Sequence, residues 1–98
     1  MPNQSRLATD YKAPGGKLVR VRLTEENGII KSARISGDFF LVPEESLAKL
    51  EKMLEDTPIR ESELKLLIDR FFRGTGAKGL GVSPDDFVKA ILSVEKEA

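Results

Sequence analysis

The 98-residue sequence contains no histidine and no cysteine. Thiolate nucleophiles, persulfide carriers, disulfides and the usual zinc ligand sets are thereby excluded, and so is a Ser-His-Asp triad. The side chain best suited to proton transfer near neutral pH is missing. Two adjacent acid pairs, Glu44-Glu45 and Asp85-Asp86, have the chemistry for general acid–base work or magnesium binding. Both fall in expected first helical turns, where attraction to the positive end of the helix dipole already accounts for them. Gly74-Thr75-Gly76-Ala77-Lys78-Gly79 has the spacing G-x-G-x-x-G, which lets backbone N–H groups approach a phosphate. That motif needs a strand before it and a helix directly after it. Here an amphipathic helix precedes it and no Gly-Lys-Ser/Thr follows, so the segment reads as a flexible loop between helices.

Gly37-Asp38-Phe39-Phe40 is more informative. It ends an expected strand with a glycine, an acid and two adjacent aromatics. Neighbouring strand residues point to opposite faces, so both rings cannot enter one core while the strand continues. Either one ring anchors the sheet and the other faces a partner, or the chain bends after Gly37 and both rings are core. Asp38 is placed to cap the turn into the next helix. Phe71-Phe72 poses a similar question at a helix end: one ring faces the core and the other is harder to bury.

The elements that position these segments are strands first, then helices. Met1–Asp10 reads as an arm or tail. Pro14-Gly15-Gly16 is a tight corner, since proline presets φ and glycine permits positive φ. Lys17–Leu23 then alternates, with Val19, Val21 and Leu23 on one face and Arg20 and Arg22 on the other. Asn27-Gly28 between two apolar runs is a type I′ hairpin signal. The return strand runs from Ile29 to about Asp38. Its alternation breaks at Ile29-Ile30, which implies a bulge or a second covered face. Pro43 opens a first helix with Leu47, Leu50 and Leu54 as its buried stripe and Met53 beside it; Asp56-Thr57-Pro58 ends it. A second helix spans Glu61–Arg73, with Leu64, Leu67, Ile68, Phe71 and Phe72 on its apolar face. Ser83 is the N-cap of a third, with Pro84 in its first turn and Phe87, Val88, Ile91, Leu92 and Val94 as its buried side. That helix is expected to fray from Glu95. The fold class is α+β: a small antiparallel sheet built on a β-hairpin, followed by three helices packed on one face. Residues 1–98 form one domain.

Lysine plus arginine and aspartate plus glutamate are each 16, so the formal charge is zero. That balance, with no aromatic stripe between the basic residues, argues against a nucleic-acid binder. The balance is uneven along the chain: residues 1–40 carry seven basic and four acidic side chains, several of the basic ones on the hairpin's solvent face. They form either an ordinary solvated sheet face or a docking surface for something acidic. No segment is long and apolar enough to span a membrane, and the polar N-terminus lacks the apolar run of a signal peptide, which makes the cytoplasm the expected compartment.

Tyr11-Lys12-Ala13-Pro14-Gly15-Gly16-Lys17-Leu18-Val19, Asn27-Gly28-Ile29-Ile30, and Ile35-Ser36-Gly37-Asp38-Phe39-Phe40-Leu41-Val42-Pro43-Glu44-Glu45 together resemble the accessory domain of lipoate–protein ligases, as does Gly81-Val82-Ser83-Pro84-Asp85-Asp86-Phe87-Val88-Lys89-Ala90-Ile91 near the end. The resemblance covers nearly all of the chain after residue 10. In that family the domain is either the C-terminal part of one chain or, in archaeal-type split ligases, a separate small subunit. A sequence beginning at Met1 with no catalytic half resembles the latter. The catalytic half's Arg-Arg-x-x-Gly-Gly-Gly motif and lipoate-contacting lysine are absent, so the chain is not expected to catalyse alone.

The resemblance implies a non-catalytic partner of a large catalytic subunit, in a heterodimer. The large subunit would bind ATP, magnesium and lipoate and form lipoyl-AMP; this chain would bind no cofactor alone, and a lipoyl acceptor domain would be an indirect partner. No nucleic acid or membrane partner is implied. The expected partner interface is Lys12, Pro14, Gly15, Gly16 and Lys17 together with Gly37, Asp38, Phe39 and Phe40. The two segments adjoin only if the strands pair as described. A generic interaction module unrelated to lipoate is the alternative. A sulfur-acceptor scaffold is discounted, because a chain without cysteine carries no persulfide.

Overall fold

The computed structural model describes residues 4–97. It contains six strands and three helices: β1 (Ser5–Lys12), β2 (Leu18–Glu26), β3 (Ile29–Gly37), β4 (Phe40–Val42), α1 (Ser46–Met53), α2 (Glu61–Thr75), β5 (Lys78–Leu80), α3 (Pro84–Leu92) and β6 (Glu95–Lys96). The main sheet is antiparallel, in the order β3-β2-β1-β6. β4 and β5 form a separate two-stranded antiparallel ribbon. α1 lies on β3, α3 lies on β1 and β2, and α2 packs against α1 and α3. The α+β class and the helices on one sheet face are as the sequence indicates.

The alternation in β2 sets the layers. Val19, Val21 and Leu23 are buried, while Arg20 and Arg22 face solvent. Asn27 and Gly28 both take positive φ, 54° and 78°, closing β2 onto β3 as a type I′ turn. The register shifts between Thr24 and Glu25, which face Ser32 and Ile30, so Lys31 is the extra residue. That bulge reverses the facing of β3, and Ile30 joins Ile35 in the core. Lys31 turns out to pair with Asp56 at 3.3 Å.

Four expectations are corrected. Ser5–Asp10 is not an arm but most of β1, an inner strand between β2 and β6; residues 1–3 of the expected arm lie outside the described residues. The run lacks strong alternation because only Leu7, Thr9 and Tyr11 face the helices, opposite Leu23, Val21 and Val19, and they are only half-buried. α1 begins at Ser46, not Pro43: the Ser46 N–H donates to the Pro43 carbonyl at 3.0 Å in a turn, so Glu44 and Glu45 precede the first helical turn. α2 runs past Arg73 to Thr75, and Gly76 ends it in the left-handed conformation. Glu95-Lys96 does not fray but pairs with Ala8 and Leu7 of β1; Ala98 lies outside the described residues. At α3 the cap is as expected: the Ser83 N–H donates to the Asp86 carboxylate at 2.8 Å, and Asp86 is buried.

Phe87 of α3 organises the core. It is fully buried, edge-on to Phe39 at 5.3 Å between ring centroids and 6.0 Å from Phe72. Phe71 is fully buried as well, and Phe72 lies half-buried across it at 4.9 Å.

Deleting residues 1–10 is expected to abolish the cooperative thermal transition seen by far-UV circular dichroism, since it removes most of an inner strand. An appended arm would leave the transition unchanged.

Candidate functional site

The two segments expected at an interface are brought together. β1 and β2 form a hairpin whose corner is Ala13–Lys17. The Ala13 N–H donates to the Lys17 carbonyl at 2.8 Å, and the Gly16 N–H to the Ala13 carbonyl at 2.9 Å. Ala13 is buried and anchors the corner; Lys12, Pro14, Gly15, Gly16 and Lys17 are exposed. β3 ends beside it, with Gly37 opposite Val19.

Gly37 is needed here for two reasons. Its φ is +153°, and a Cβ at this position would run into the Leu18 carbonyl oxygen and the Phe39 ring. Asp38 then continues the ladder with its side chain: its carboxylate accepts the Leu18 N–H at 2.6 Å, and its own N–H donates to the Leu18 carbonyl at 3.3 Å. This corrects the expected helix cap. Asp38 staples the start of β2, and α1 has no side-chain cap hydrogen bond. The chain bends out of the main sheet after Gly37 and enters β4.

The bend separates the two aromatics. Phe39 is 6% exposed, against Phe87; Phe40 is 69% exposed. Of the two rings expected at the interface, Phe39 is therefore packed in the core, and Phe40 is the one presented to solvent. β4 pairs with β5 in the register Phe40↔Leu80, Leu41↔Gly79, Val42↔Lys78. The second half of the G-x-G-x-x-G segment is thus a strand and not a flexible loop, and α3 starts only at Pro84, so no helix follows directly as a phosphate site requires. A Cβ on Gly79 would lie 2.6 Å from the Val82 carbonyl oxygen, and one on Gly81 would lie 2.9 Å from Lys17 Cγ. The 79–82 turn is folded tightly, and the Lys17 stem lies along Gly81. Corner, bend and ribbon form one continuous surface.

Val42, Lys78 and Leu80 belong to this surface and were not legible beforehand. Strands of three residues are too short to show alternation, and the glycines around Lys78 read as a loop.

The basic sheet face is less one-sided than the residue tally indicates. Asp10 pairs with Arg22 at 3.2 Å and Arg20 at 3.8 Å, and Glu95 shares that face opposite Ala8. The acid pairs do not converge on a reacting centre. Glu44 and Glu45 are exposed, Asp85 pairs with Lys89 at 3.1 Å, and Asp86 caps α3. Among the described residues no group of three or more His, Cys, Asp or Glu side chains is placed to hold a metal ion, and no helix is long and apolar enough to cross a membrane.

The facing of the two rings has a direct consequence. Phe39→Ala is expected to lower stability by about 3–5 kcal/mol, read from urea denaturation. Phe40→Ala should stay within about 0.5 kcal/mol of the parent. Equal losses would contradict the bend.

Comparison with known proteins gives the family of the chain. The family described as "Bacterial lipoate protein ligase C-terminus" matches residues 6–91, which include corner, bend and ribbon. The chain is 40% identical over 82 residues to "Lipoate-protein ligase A subunit 2" of Thermoplasma acidophilum, covering 84% of this chain and 83% of that one. It also superposes, with a TM-score of 0.79 and 35% identity, on a chain from the structural analysis of an archaeal lipoylation system, a bi-partite lipoate protein ligase and its E2 lipoyl domain from the same organism; 90% of this chain and 96% of that chain are covered. The chain belongs to the lipoate protein ligase C-terminal domain family.

Proposed function

We propose that this chain is the non-catalytic accessory subunit of a two-part lipoate–protein ligase. It binds the large catalytic subunit as a heterodimer in the cytoplasm and is required for ATP-dependent activation of lipoate to lipoyl-AMP, before transfer to a lysine of an acceptor domain. The observation that carries this reading is the 40% identity, over most of both chains, to subunit 2 of a lipoate–protein ligase. The absence of histidine and cysteine and the dispersal of the acid pairs support a role without a reacting side chain.

ATP, magnesium and lipoate belong, in this reading, to the large subunit. Adenylation places charge on phosphate oxygens and requires the carboxylate and the phosphate to be held in line. A partner supplies that preorganisation by ordering the large subunit's loops, without donating a catalytic group. The surface assigned to this task is Lys12, Pro14, Gly15, Gly16, Lys17, Gly37, Asp38 and Phe40. Asp38 acts by fixing the start of β2, and Gly37 by allowing the bend. Lys17 sits where corner and ribbon meet.

The test is pyrophosphate release from ATP and lipoate by the large subunit, with and without this chain. Release that depends on both chains is the expected result. Equal release by the large subunit alone would leave only a stabilising or unrelated interaction module. Charge reversal at Lys17 is expected to weaken complex formation or adenylation; unchanged values for both would remove it from the surface.

A further inference from the structure

The outward face of the β4–β5 ribbon is apolar, and none of the described residues covers it. Phe40 and Leu80 stand directly opposite one another, and Val42 follows two residues along, so all three side chains leave from one side. They are 69%, 54% and 50% exposed. The ribbon cannot bury this face by turning over, because Leu41 on the other side is already in the core. At Gly79 the ribbon backbone lies close against Val82, in space that a side chain would fill.

Two lysines stand at its margins. Lys78 stands opposite Val42 on this same face, and the stem of Lys17 runs along Gly81 at the other end. Neither lysine makes an ion pair among the described residues. An apolar centre with cationic margins fits an apolar depression bordered by carboxylates. A second copy of this chain is a poorer fit, since a two-fold contact through this face brings the lysine margins of both copies together.

Resting on the accessory-subunit reading, we propose that Phe40, Val42 and Leu80, with Lys17 and Lys78 at the margins, are the anchor that seats this chain in a carboxylate-bordered apolar depression of the large subunit. A stable interface takes about 800 Å² from each partner, more than three side chains supply. The exposed corner Pro14–Lys17 adjoins the ribbon and provides the surrounding contact. Aromatic and aliphatic side chains at the centre of such a patch carry a disproportionate share of the affinity.

The experiment is calorimetric titration of the large subunit with this chain and with Phe40→Ser, Leu80→Ser and Leu66→Ser. Leu66 is a control, an exposed leucine on α2 away from the ribbon. Each ribbon variant is expected to weaken binding by at least about tenfold, and Leu66→Ser by no more than about twofold. Circular dichroism melts of all variants should match the parent, since the replaced side chains are exposed. Lys17→Glu and Lys78→Glu should weaken binding and reduce its dependence on salt. Ribbon variants that bind as tightly as the parent, or a Leu66→Ser loss of the same size, would overturn the anchor while leaving the accessory role standing. A parent chain that does not bind the large subunit would overturn the accessory role itself. Self-association of the parent in sedimentation, lost in Phe40→Ser, would assign the face to a second copy instead.

Discussion

The contact between Leu18 and the Gly37-Asp38 pair is the constraint on which the arrangement of corner, bend and ribbon depends. Ordinary strand pairing between β2 and β3 stops at Val19 and Gly37. One residue on, the Asp38 carboxylate takes the acceptor's place and satisfies the Leu18 N–H, while the Asp38 N–H returns to the Leu18 carbonyl. The ladder is therefore finished by a side chain, and the backbone is free to leave the sheet. It leaves in a direction that requires a residue without a Cβ, because the Leu18 carbonyl occupies that space. A strand that simply continued would keep its alternation, and Phe39 and Phe40 would sit on the two faces of the main sheet. The bend instead sends Phe39 under the helices to Phe87 and carries Phe40 onto a second, smaller sheet.

Two packing solutions meet at this point. The main sheet has one face under α1 and α3, and its other face alternates arginines with small polar residues and is partly neutralised by Asp10 and Glu95. The ribbon has Leu41 beneath it and Phe40, Val42 and Leu80 above. A chain of this size buries a limited core, so placing large apolar side chains in water costs it material that the core would otherwise hold. The sheet face is an ordinary solvated surface of mixed sign. The ribbon is the apolar exception, and it lies beside the corner that the family match also spans.

The sequence holds no histidine and no cysteine, and its acid pairs are dispersed over the fold. Its glycines permit close backbone approach: Gly37 against Leu18, Gly79 against Val82 and Gly81 against the Lys17 stem. The outcome is a bend and ribbon in which backbone and side chain approach closely at three glycines.

Several elements were written locally. The alternation of Val19, Val21 and Leu23, the Asn27-Gly28 turn, the leucine stripe of α1 and the Ser83 cap each depend on residues a few positions apart, and each forms as those residues dictate. The motif set around Gly-Gly-Lys and Gly-Asp-Phe-Phe likewise identified the family, because it is a string of residue types and needs no geometry. Other elements exist only through distant pairing. Ser5–Lys12 is a strand because β2 lies on one side and Glu95-Lys96 on the other, and Lys78–Leu80 is a strand because Phe40–Val42 reaches it across the fold. The choice between Phe39 and Phe40 belongs to the same class. Residue type is the same at both positions, and only the bend at Gly37, set by a carbonyl from another strand, decides which ring is buried and which faces solvent.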